Sequence, residues 1–296
     1  MSDSSAVIDI DHLQTWVGRE KVVTDDLSPH QARALSAALE RDGYQPALPG
    51  VGSVLPPAWQ WLYFVDTPSA LMTGSDGHQM TGDFLPPVPL PRRMWAAGKF
   101  AVHKPVLLGA AAQKRSVVSS VDLKQGSTGT LVFVTVKHTI EQARQVCVEE
   151  EQNIVYLEMP TGPSPLPLGK VAPEHADWII DIQPDPVLLF RFSALTYNGH
   201  RIHYDRHYAI NDEFYPALVV HGPLQATLLA NSVREHCAGL DIVDFSFHAQ
   251  RPLFDTDRFS VCGKRECDEV TLWTRSHDGF IGMMATARLS NGEDCV

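Results

Sequence analysis

The chain has 296 residues, of which 44% are hydrophobic and 20% are charged, and its formal net charge is −11. This length suits two domains with cores of their own, and the composition is that of a soluble globular protein. The acidic balance argues against a nucleic-acid-binding protein, because phosphate recognition depends on summed positive charge. No apolar run is long enough to span a membrane, and residues 1–11 lack the basic and apolar regions of a secretory leader. We therefore expect a cytoplasmic protein.

The five cysteines are unclustered. They have neither Cys-x-x-Cys nor Cys-x-x-His spacing, and they stand at positions 147, 237, 262, 267 and 295. An odd number of scattered cysteines favours a reducing compartment and argues against a metal centre. We expect no metal in this protein.

The first part of the chain predicts helical segments and a long loop. Ser28-Pro29 has the pattern of a helix N-terminus, with a capping hydroxyl followed by proline in the first turn. Residues 55–64 are very apolar and predict a truncated central helix. Residues 72–92 are rich in glycine and proline, which predicts a long surface loop, and long ordered loops often have a functional reason.

Strands follow this loop. Valine-rich segments at 116–123 and 130–139 flank a glycine-containing connection at 125–129, which predicts a hairpin. Short apolar segments at 146–148 and 154–157 flank a polar stretch and predict another hairpin.

Residues 160–176 contain five prolines and two glycines, which predicts a linker. Beyond it, Gly222-Pro223 opens an apolar helix that runs to about Cys237, because proline is favoured at the first helical position. Four strands are then expected, at residues 242–249, 258–263, 269–276 and 280–289. The chain therefore divides into an N-terminal domain at 1–159, the linker, and a C-terminal domain at 177–296. Each has a helical segment followed by several strands, which is the order expected when a sheet wraps one buried helix.

The polar segment 197–207 reads Tyr-Asn-Gly-His-Arg-Ile-His-Tyr-Asp-Arg-His. His203 can exchange a proton near neutral pH, because the unperturbed pKa of imidazole is about 6.5. Asn198 can hold a water or a carbonyl group but cannot take a proton. Gly222, at the entrance of the second helix, would let a ligand oxygen approach backbone N–H groups. Enolate chemistry requires a proton-transfer side chain beside an oxyanion site, and these residues could supply both.

Basic residues are concentrated between Arg92 and Lys137, where eight of them accompany a single acid, Asp122. The eight are Arg92, Arg93, Lys99, Lys104, Lys114, Arg115, Lys124 and Lys137. A local positive field in an acidic protein suits a small anionic ligand such as the phosphates of coenzyme A. A solvated face of a sheet is the alternative interpretation.

The segment Asn-Gly-His-Arg-Ile-His-Tyr-Asp at 198–205, with His221-Gly222 before the second helix, resembles the Asp-x-Asn-Pro-Ile/Leu-His pattern of the MaoC-type (R)-specific enoyl-CoA hydratases. It is most similar to the branch that includes itaconyl-CoA hydratase, mesaconyl-C4-CoA hydratase and 3-hydroxyacyl-thioester dehydratase type 2. Residues 90–95 and 124–133 also resemble that branch. The resemblance implies an α+β, tandem (double) hotdog fold, in which each half is an antiparallel sheet around a central helix and the second helix is the longer. Asn198 stands where most of these hydratases have the catalytic aspartate.

The resemblance also implies a hydro-lyase that reversibly hydrates an α,β-unsaturated acyl-CoA. Coenzyme A would be part of the substrate, and no cofactor is expected. Arg201 replaces the usual proline of the pattern, and its planar fork suits a second carboxylate on the acyl group. That would fit itaconyl-CoA, hydrated to citramalyl-CoA in itaconate degradation, or mesaconyl-C4-CoA. The alternative is that Arg201 pairs with Asp205 and only shapes the loop.

The resemblance and the residue chemistry together suggest one site per chain, with the catalytic residues in the C-terminal domain and a non-catalytic N-terminal domain that lends walls and a basic surface. His203 would activate a water held by Asn198, while a backbone N–H near Gly222 would take the thioester oxygen. Asp205 is either a competing base or the N-cap of a short helix. His221 either lines the site or sits at the helix entrance. Contacts to the coenzyme A phosphates are assigned to Arg92, Arg93 and Lys124.

Three other functions remain open. An (R)-3-hydroxyacyl-ACP or CoA dehydratase of the fatty-acid type differs only in substrate carrier and chain length, although the lack of a targeting peptide disfavours its mitochondrial form. A thioesterase shares the fold but does not use this Asn/His pair. A non-catalytic acyl-thioester binding module is conceivable because Asn198 replaces the aspartate. Neither nucleic acid nor a membrane is an expected partner, and a homodimer is left open.

Overall fold

A computed structural model describes residues 8–42, 48–126, 129–166 and 168–290. In these ranges ten strands form a single sheet in which every pairing is antiparallel. The strands are β1 (Glu20–Asp25), β2 (Arg92–Val102), β3 (Ala112–Gly126), β4 (Gly129–Gln142), β5 (Gln145–Leu157), β6 (Trp178–Ile182), β7 (Ile242–Ala249), β8 (Phe259–Glu266), β9 (Glu269–Ser276) and β10 (Ile281–Leu289). Their spatial order is β1-β3-β4-β5-β2-β7-β10-β9-β8-β6.

In the part of the chain that the structure describes, five α-helices accompany the sheet: α1 (Ile10–Gln14), α2 (Pro29–Ala38), α3 (Pro186–Thr196), α4 (Arg206–Asn211) and α5 (Gly222–His236). Three 3-10 turns lie at Trp59–Leu62, Ala70–Met72 and Arg201–His203. Within the described ranges, every helix is too short or too polar to cross a lipid bilayer.

The two halves of the sheet meet where β2 pairs with β7, in a register that runs from Ala97 opposite His248 to Ala101 opposite Asp244. Gly98 allows the ring of Phe247 to pack against the backbone of β2, since a Cβ atom at position 98 would lie only 2.8 Å from Cζ of Phe247. All strands on one side of the seam precede residue 160, and all those on the other side follow residue 176. This layout is compatible with the expected division into two domains, whose boundaries stay a prediction.

The helix α5 is the core of the second half. Every residue from 224 to 233 is buried, and the helix packs against β7, β8, β9 and β10. Pro223 lies in its first turn and His236 in its last, where a basic group suits the helix dipole. The predicted start and end of this helix are confirmed.

The first half has a much shorter counterpart. The predicted truncated helix is one 3-10 turn, Trp59–Leu62, and its Trp59 is buried. Nε1 of Trp59 donates a 2.9 Å hydrogen bond to Oδ1 of Asn231 on α5, so this turn contacts the second core. The helix predicted at Ser28 is confirmed as α2, and the Ser28 hydroxyl accepts a hydrogen bond from the N–H of His30.

The hairpin expected within residues 146–157 is wrong, because this segment is one continuous strand, β5. Its polar residues 149–153 pair with both β4 and β2, so the backbone hydrogen bonds are satisfied without a turn. The chain reverses earlier, at Ala143-Arg144, where φ is +50° and +62°. Glycine and asparagine are the residues that favour such a two-residue connection, so alanine and arginine here do not indicate a turn. The other predicted hairpin joins β3 to β4, and its residues 127–128 lie outside the described ranges.

The sequence did not predict β1, β6 or α3. The last of these matters for the site, because α3 leads directly into the polar segment. Asp185 caps α3 by accepting a 2.7 Å hydrogen bond from the N–H of Leu188, and Pro186 follows it. The helix ends at Tyr197, whose left-handed φ of +52° turns the chain.

Candidate active site

The polar segment forms a tight loop between α3 and α4. The N–H of Asn198 donates to the carbonyl of Ser193 at 2.8 Å, and Oδ1 of Asn198 accepts from the N–H of His200 at 3.0 Å. The 3-10 turn Arg201–His203 follows. The side-chain oxygen of Asn198 is thus used to turn the chain, so a water held by this residue would be bound by its Nδ2.

His203 is 7% exposed, and its ring orientation is fixed by the backbone. Nδ1 of His203 lies 2.7 Å from the carbonyl oxygen of Val219. Because a carbonyl only accepts, we assign the proton to Nδ1 and a free lone pair to Nε2. Burial, assisted by the nearby His221 and His200, lowers the pKa of His203 well below its usual value. His203 is therefore neutral at pH 7 and able to accept a proton.

His221 holds the ring of His203 from one side. The two rings are stacked, with centroids 3.6 Å apart and planes inclined by 18°. Nε2 of His221 lies 2.8 Å from the hydroxyl of Ser193 on α3, and burial lowers the pKa of His221 to about 3. The sequence left two alternatives for His221, at the helix entrance or lining the site. His221 is the N-cap residue of α5, and its ring also contacts His203.

The N-terminus of α5 is uncapped. His221 makes no side-chain capping hydrogen bond, so the first N–H groups of the helix need another acceptor. Gly222 is partly exposed, and a Cβ atom there would lie 3.7 Å from the carbonyl oxygen of Trp95 and 3.8 Å from Cε of Met283. A larger residue would fill this space. The absence of a side chain leaves room for a ligand oxygen at the positive end of the helix dipole.

Asp205 and Arg201 are engaged with each other. Oδ1 of Asp205 accepts from the N–H of Tyr208 at 3.1 Å and caps α4. Oδ2 accepts from Nε and Nη2 of Arg201 at 3.0 and 2.7 Å. Nη1 of Arg201 donates to the carbonyl of Ser75 at 3.0 Å. The structure thus shows the cap and the internal ion pair that the sequence left as alternatives, and neither group is free here for base chemistry or for a substrate carboxylate.

A loop from the first half lies against this segment. Its ends are joined by the β-bridge between Thr73 and Gln79, and the carbonyl of Asp76 accepts from the N–H of Arg201 at 2.9 Å. We call residues 73–79 the docking loop. Although the sequence indicated a functional loop in this region, it did not indicate which part of the polar segment the loop would meet.

The docking loop carries an aspartate–histidine pair. Nδ1 of His78 lies 2.7 Å from Oδ2 of Asp76, and the ring of His78 packs on that of His200 with centroids 4.1 Å apart. Burial lowers the pKa of His78 to about 4. Burial alone would raise the pKa of Asp76, but the hydrogen bonds and charge of His78 outweigh it and hold this pKa well below its usual value. His200 in turn meets His203 edge-on, with centroids 5.5 Å apart. We call these side chains the histidine row: His78, His200, His203 and His221.

Glu213 connects the row to β2. Its Oε1 lies 3.2 Å from Nε2 of His200, and its Oε2 accepts from Nε of Arg92 at 3.1 Å. Burial alone would raise the pKa of Glu213, but His200 and Arg92 outweigh it and lower this pKa. Arg92 is therefore engaged inside the protein and is not free for the phosphate contact expected from the sequence.

The other predicted phosphate ligands lie in different surroundings. Lys124 is on the β3–β4 hairpin, with Nζ 4.8 Å from the ring centroid of Phe133. The positive charge of Arg93 adds to the effect of burial in lowering the pKa of His78, and it opposes the rise that burial causes in the pKa of Tyr156. Arg93 therefore acts in the same part of the fold as the docking loop.

The basic stretch 92–137 is partly neutralised by acids from other parts of the chain. Three of its eight basic side chains form ion pairs with acids outside the stretch, namely Arg92 with Glu213, Lys99 with Glu151 and Arg115 with Glu20. The excess of positive charge counted along the sequence is therefore smaller in the fold.

Sequence reasoning missed several members of the site. Asp76 and His78 belong to a Gly-Ser-Asp-Gly-His run at 74–78, and a polar run of this kind inside a long glycine-rich loop could have been singled out. Ser193 could have been placed by recognising Asp185-Pro186 as a helix start. Nothing in the local sequence distinguishes Glu213 from a surface acid.

The model of the hydroxyacyl-thioester dehydratase type 2 family matches residues 58–255, a range that contains the docking loop and the histidine row. The chain belongs to this family. It is 44% identical over 275 residues to the mesaconyl-C(4)-CoA hydratase of Chloroflexus aurantiacus, in an alignment that covers 93% of this chain and 96% of that protein. The family member described here is thus a hydro-lyase, as the resemblance implied.

Solved structures show the same fold. A MaoC-like dehydratase from Phytophthora capsici superposes with a TM-score of 0.66 at 12% identity, covering 97% of this chain and 100% of that one. A Mycobacterium tuberculosis protein described as having a double hotdog fold gives a TM-score of 0.54 at 11% identity, with coverages of 93% and 96%. The predicted α+β double hotdog fold of this dehydratase-family chain is confirmed.

Proposed function

We propose that the protein reversibly hydrates an α,β-unsaturated acyl-CoA with a short dicarboxylic acyl group, such as that of mesaconyl-C4-CoA. The observation that carries this proposal is the neutral ring of His203, fixed by Val219 and stacked on the residue that precedes the uncapped start of α5. A nitrogen lone pair that can hold a water and an oxyanion site are thereby adjacent. The relative named mesaconyl-C(4)-CoA hydratase supports the choice of substrate class.

The chemistry requires a water oxygen at Cβ, a proton at Cα and stabilisation of the enolate oxygen between these steps. Nε2 of His203 accepts a hydrogen bond from the attacking water and orients it, and Asn198 helps to hold it. The N–H of Gly222 donates to the thioester oxygen as negative charge develops on it. Because these groups are fixed by the fold, they need little reorganisation during the reaction.

Arg93 is the guanidinium we assign to the second carboxylate of the acyl group. Arg201, which the sequence suggested, is paired with Asp205, whereas Arg93 has no ion-pair partner among the residues that the structure describes. The positive charge of Arg93 also acts on His78. The acyl carboxylate is only a few bonds from the thioester, whereas the phosphates are at the far end of the pantetheine arm, so Arg93 suits the carboxylate better. Itaconyl-CoA carries the same group and is the other candidate.

The test is a hydration assay that follows the loss of enoyl-thioester absorbance with crotonyl-, longer enoyl-, mesaconyl-C4- and itaconyl-CoA. We expect the dicarboxylic substrates to be preferred and His203→Ala to lower turnover by at least about 10²-fold with folding intact. Hydration of plain enoyl chains only would favour the fatty-acid type of dehydratase. Release of free thiol would indicate a thioesterase, and tight binding without turnover would indicate a binding module.

We also propose that the protein acts in the cytoplasm and that coenzyme A is bound only as part of the substrate, with no other cofactor. Purified protein that hydrates its substrate without any addition would support the second point. A homodimer and the coenzyme A contact of Lys124 stay predictions from the sequence.

A further inference from the structure

We propose that Asp76 and His78 form a second catalytic acid/base group of this site, which takes the proton from the attacking water and returns it to Cα. This inference rests on the proposed hydratase function. It assigns chemistry to the docking loop, which comes from the half of the chain that was expected to lend only walls and charge.

The geometry of the pair is that of an oriented base. Asp76 holds His78 twice, since Oδ2 lies 2.7 Å from Nδ1 and Oδ1 accepts from the backbone N–H at 3.0 Å. With the carboxylate ionised, Nδ1 carries the proton and Nε2 has the free lone pair. The same arrangement orients the histidine of hydrolytic triads, where the carboxylate stabilises the imidazolium that forms.

His78 is also the member of the histidine row that solvent can reach. His78 is partly exposed, whereas His200, His203 and His221 are all buried. A base that exchanges protons with water needs such access. Ring contacts connect His78 to His203, because the ring of His78 packs on His200 and His200 meets His203.

His78 has a counter-ion, Asp76, that His203 lacks, and the hydrogen bond from His78 to Asp76 favours the imidazolium more than the nearby charge of Arg93 disfavours it. The ring of His203 is hydrogen-bonded to a neutral group, the carbonyl of Val219. The ionisable groups that act on His203 are other imidazoles, which carry no negative charge. An imidazolium at that position would be a buried charge without a counter-ion, which is costly. The imidazolium of His78 would lie against the carboxylate of Asp76. Because Asn198 replaces the usual aspartate, this pair supplies the carboxylate that the polar segment lacks.

The step balances with the two histidines in distinct roles. Water, held by His203, gives one proton to Nε2 of His78 while its oxygen bonds to Cβ. The electron pair of the C=C bond moves onto the thioester oxygen at the start of α5. The enolate then re-forms the carbonyl as Cα takes the proton back from His78. One water is added, and His78 and His203 are both neutral at the end.

Binding of a divalent cation is the alternative role for these residues, since donor atoms of Asp76, His78 and His200 lie within 4.8 Å of one another. The observed contacts favour proton transfer. Asp76 already bonds Nδ1 of His78, and Nε2 of His200 already faces Glu213. The experiment therefore includes treatment with a chelator.

The test compares His78→Gln, His78→Ala and Asp76→Asn with the native protein in the hydration assay. We expect His78→Gln to lower kcat by about 10²- to 10⁴-fold with KM little changed, and Asp76→Asn to lower it by at least about tenfold. Added imidazole should partly restore His78→Ala, which a purely structural role would not allow. The matched control is His103→Gln, because His103 forms a histidine–carboxylate pair of the same 2.7 Å length with Glu149 on the surface.

The outcomes are separable. If the native protein hydrates no enoyl-CoA, the proposed function fails. If it does but His78→Gln keeps kcat within about tenfold, or imidazole does not rescue His78→Ala, the role of His78 is wrong and the hydratase stands. Loss of native activity on chelation, restored by a divalent metal, would also overturn the proton-transfer role. If His78→Gln does not fold, the rescue of His78→Ala and the kcat of Asp76→Asn decide.

Discussion

The backbone of Gly77 lies directly against Gly199, and a Cβ atom at Gly77 would come within 1.8 Å of the Gly199 carbonyl oxygen. Gly77 also has a φ of +88°, a backbone conformation that is unfavourable for residues other than glycine. We expect Gly77→Ala to displace the docking loop and to lower hydratase turnover by at least about tenfold, because catalytic geometry tolerates little misplacement. Steady-state kinetics of the purified variant measure this effect.

The control for Gly77→Ala is Gly279→Ala. Gly279 has a nearly equal φ of +87°, but a Cβ atom there would have no neighbour within 4 Å. The Gly279→Ala variant should have the same backbone strain as Gly77→Ala but keep the native kcat. Equal losses of turnover in the two variants would show that strain, rather than the contact with Gly199, is responsible.

The pairing of Glu213 with Arg92 and His200 should stabilise the folded protein. The side chains of Glu213 and Arg92 are only 4% and 13% exposed. Glu213→Gln keeps the shape but leaves Arg92 without its counter-ion, and breaking a buried pair from one side costs about 3–5 kcal/mol. Urea denaturation at neutral pH measures the loss.

Glu20→Gln is the matched control, because Glu20 pairs with Arg115 on the surface, where the two side chains are 45% and 52% exposed. Exposed ion pairs contribute little to stability. The free energy of unfolding should therefore be nearly that of the native protein. If both variants behave alike, the Glu213 pairing adds no special stability.

The buried histidines should make the protein less stable in mild acid. Burial lowers the pKa of His221 to about 3 and that of His78 to about 4, whereas unfolded histidine has a pKa of about 6.5. Between these values the unfolded chain binds more protons, so the free energy of unfolding falls as the pH drops below 6.5. Each such group contributes up to about 1.4 kcal/mol per pH unit.

Denaturation at several pH values between 7 and 4 tests this dependence. His221→Phe removes one proton-uptake site, so its free energy of unfolding should change less steeply with pH than that of the native protein. An unchanged slope would mean that His221 does not differ in proton binding between the folded and unfolded states.

Substrate discrimination should depend on Arg93 and not on Arg201. We expect Arg93→Gln to reduce kcat/KM for mesaconyl-C4-CoA by about tenfold or more, as for loss of one charged hydrogen-bonding group, while crotonyl-CoA is little affected. Arg201→Gln should affect both substrates alike, because it loosens the loop that Arg201 and Asp205 hold. The ratio of the two kcat/KM values measures the preference. A ratio lowered by Arg201→Gln alone would restore the role first suggested by the sequence.

Several features of the fold follow from local sequence. The helix α5 was placed by Gly222-Pro223 and its apolar spacing, because helical burial repeats every three to four residues. The turn before β10 follows from Gly279, whose positive φ is easily adopted by glycine. The polar segment was identified as the centre of the chemistry because histidine, asparagine and arginine are rarely combined in a scaffold loop.

Other features are decided only by the tertiary structure. The turn at Ala143-Arg144 has positive φ values that no local residue type announces. Whether Arg201 binds substrate or Asp205 depends on which groups reach it, and the fold places Asp205 and Ser75 there. The meeting of His78 with His200 joins positions more than a hundred residues apart. Side-chain types determine what chemistry is possible, whereas long-range packing determines which of those side chains meet.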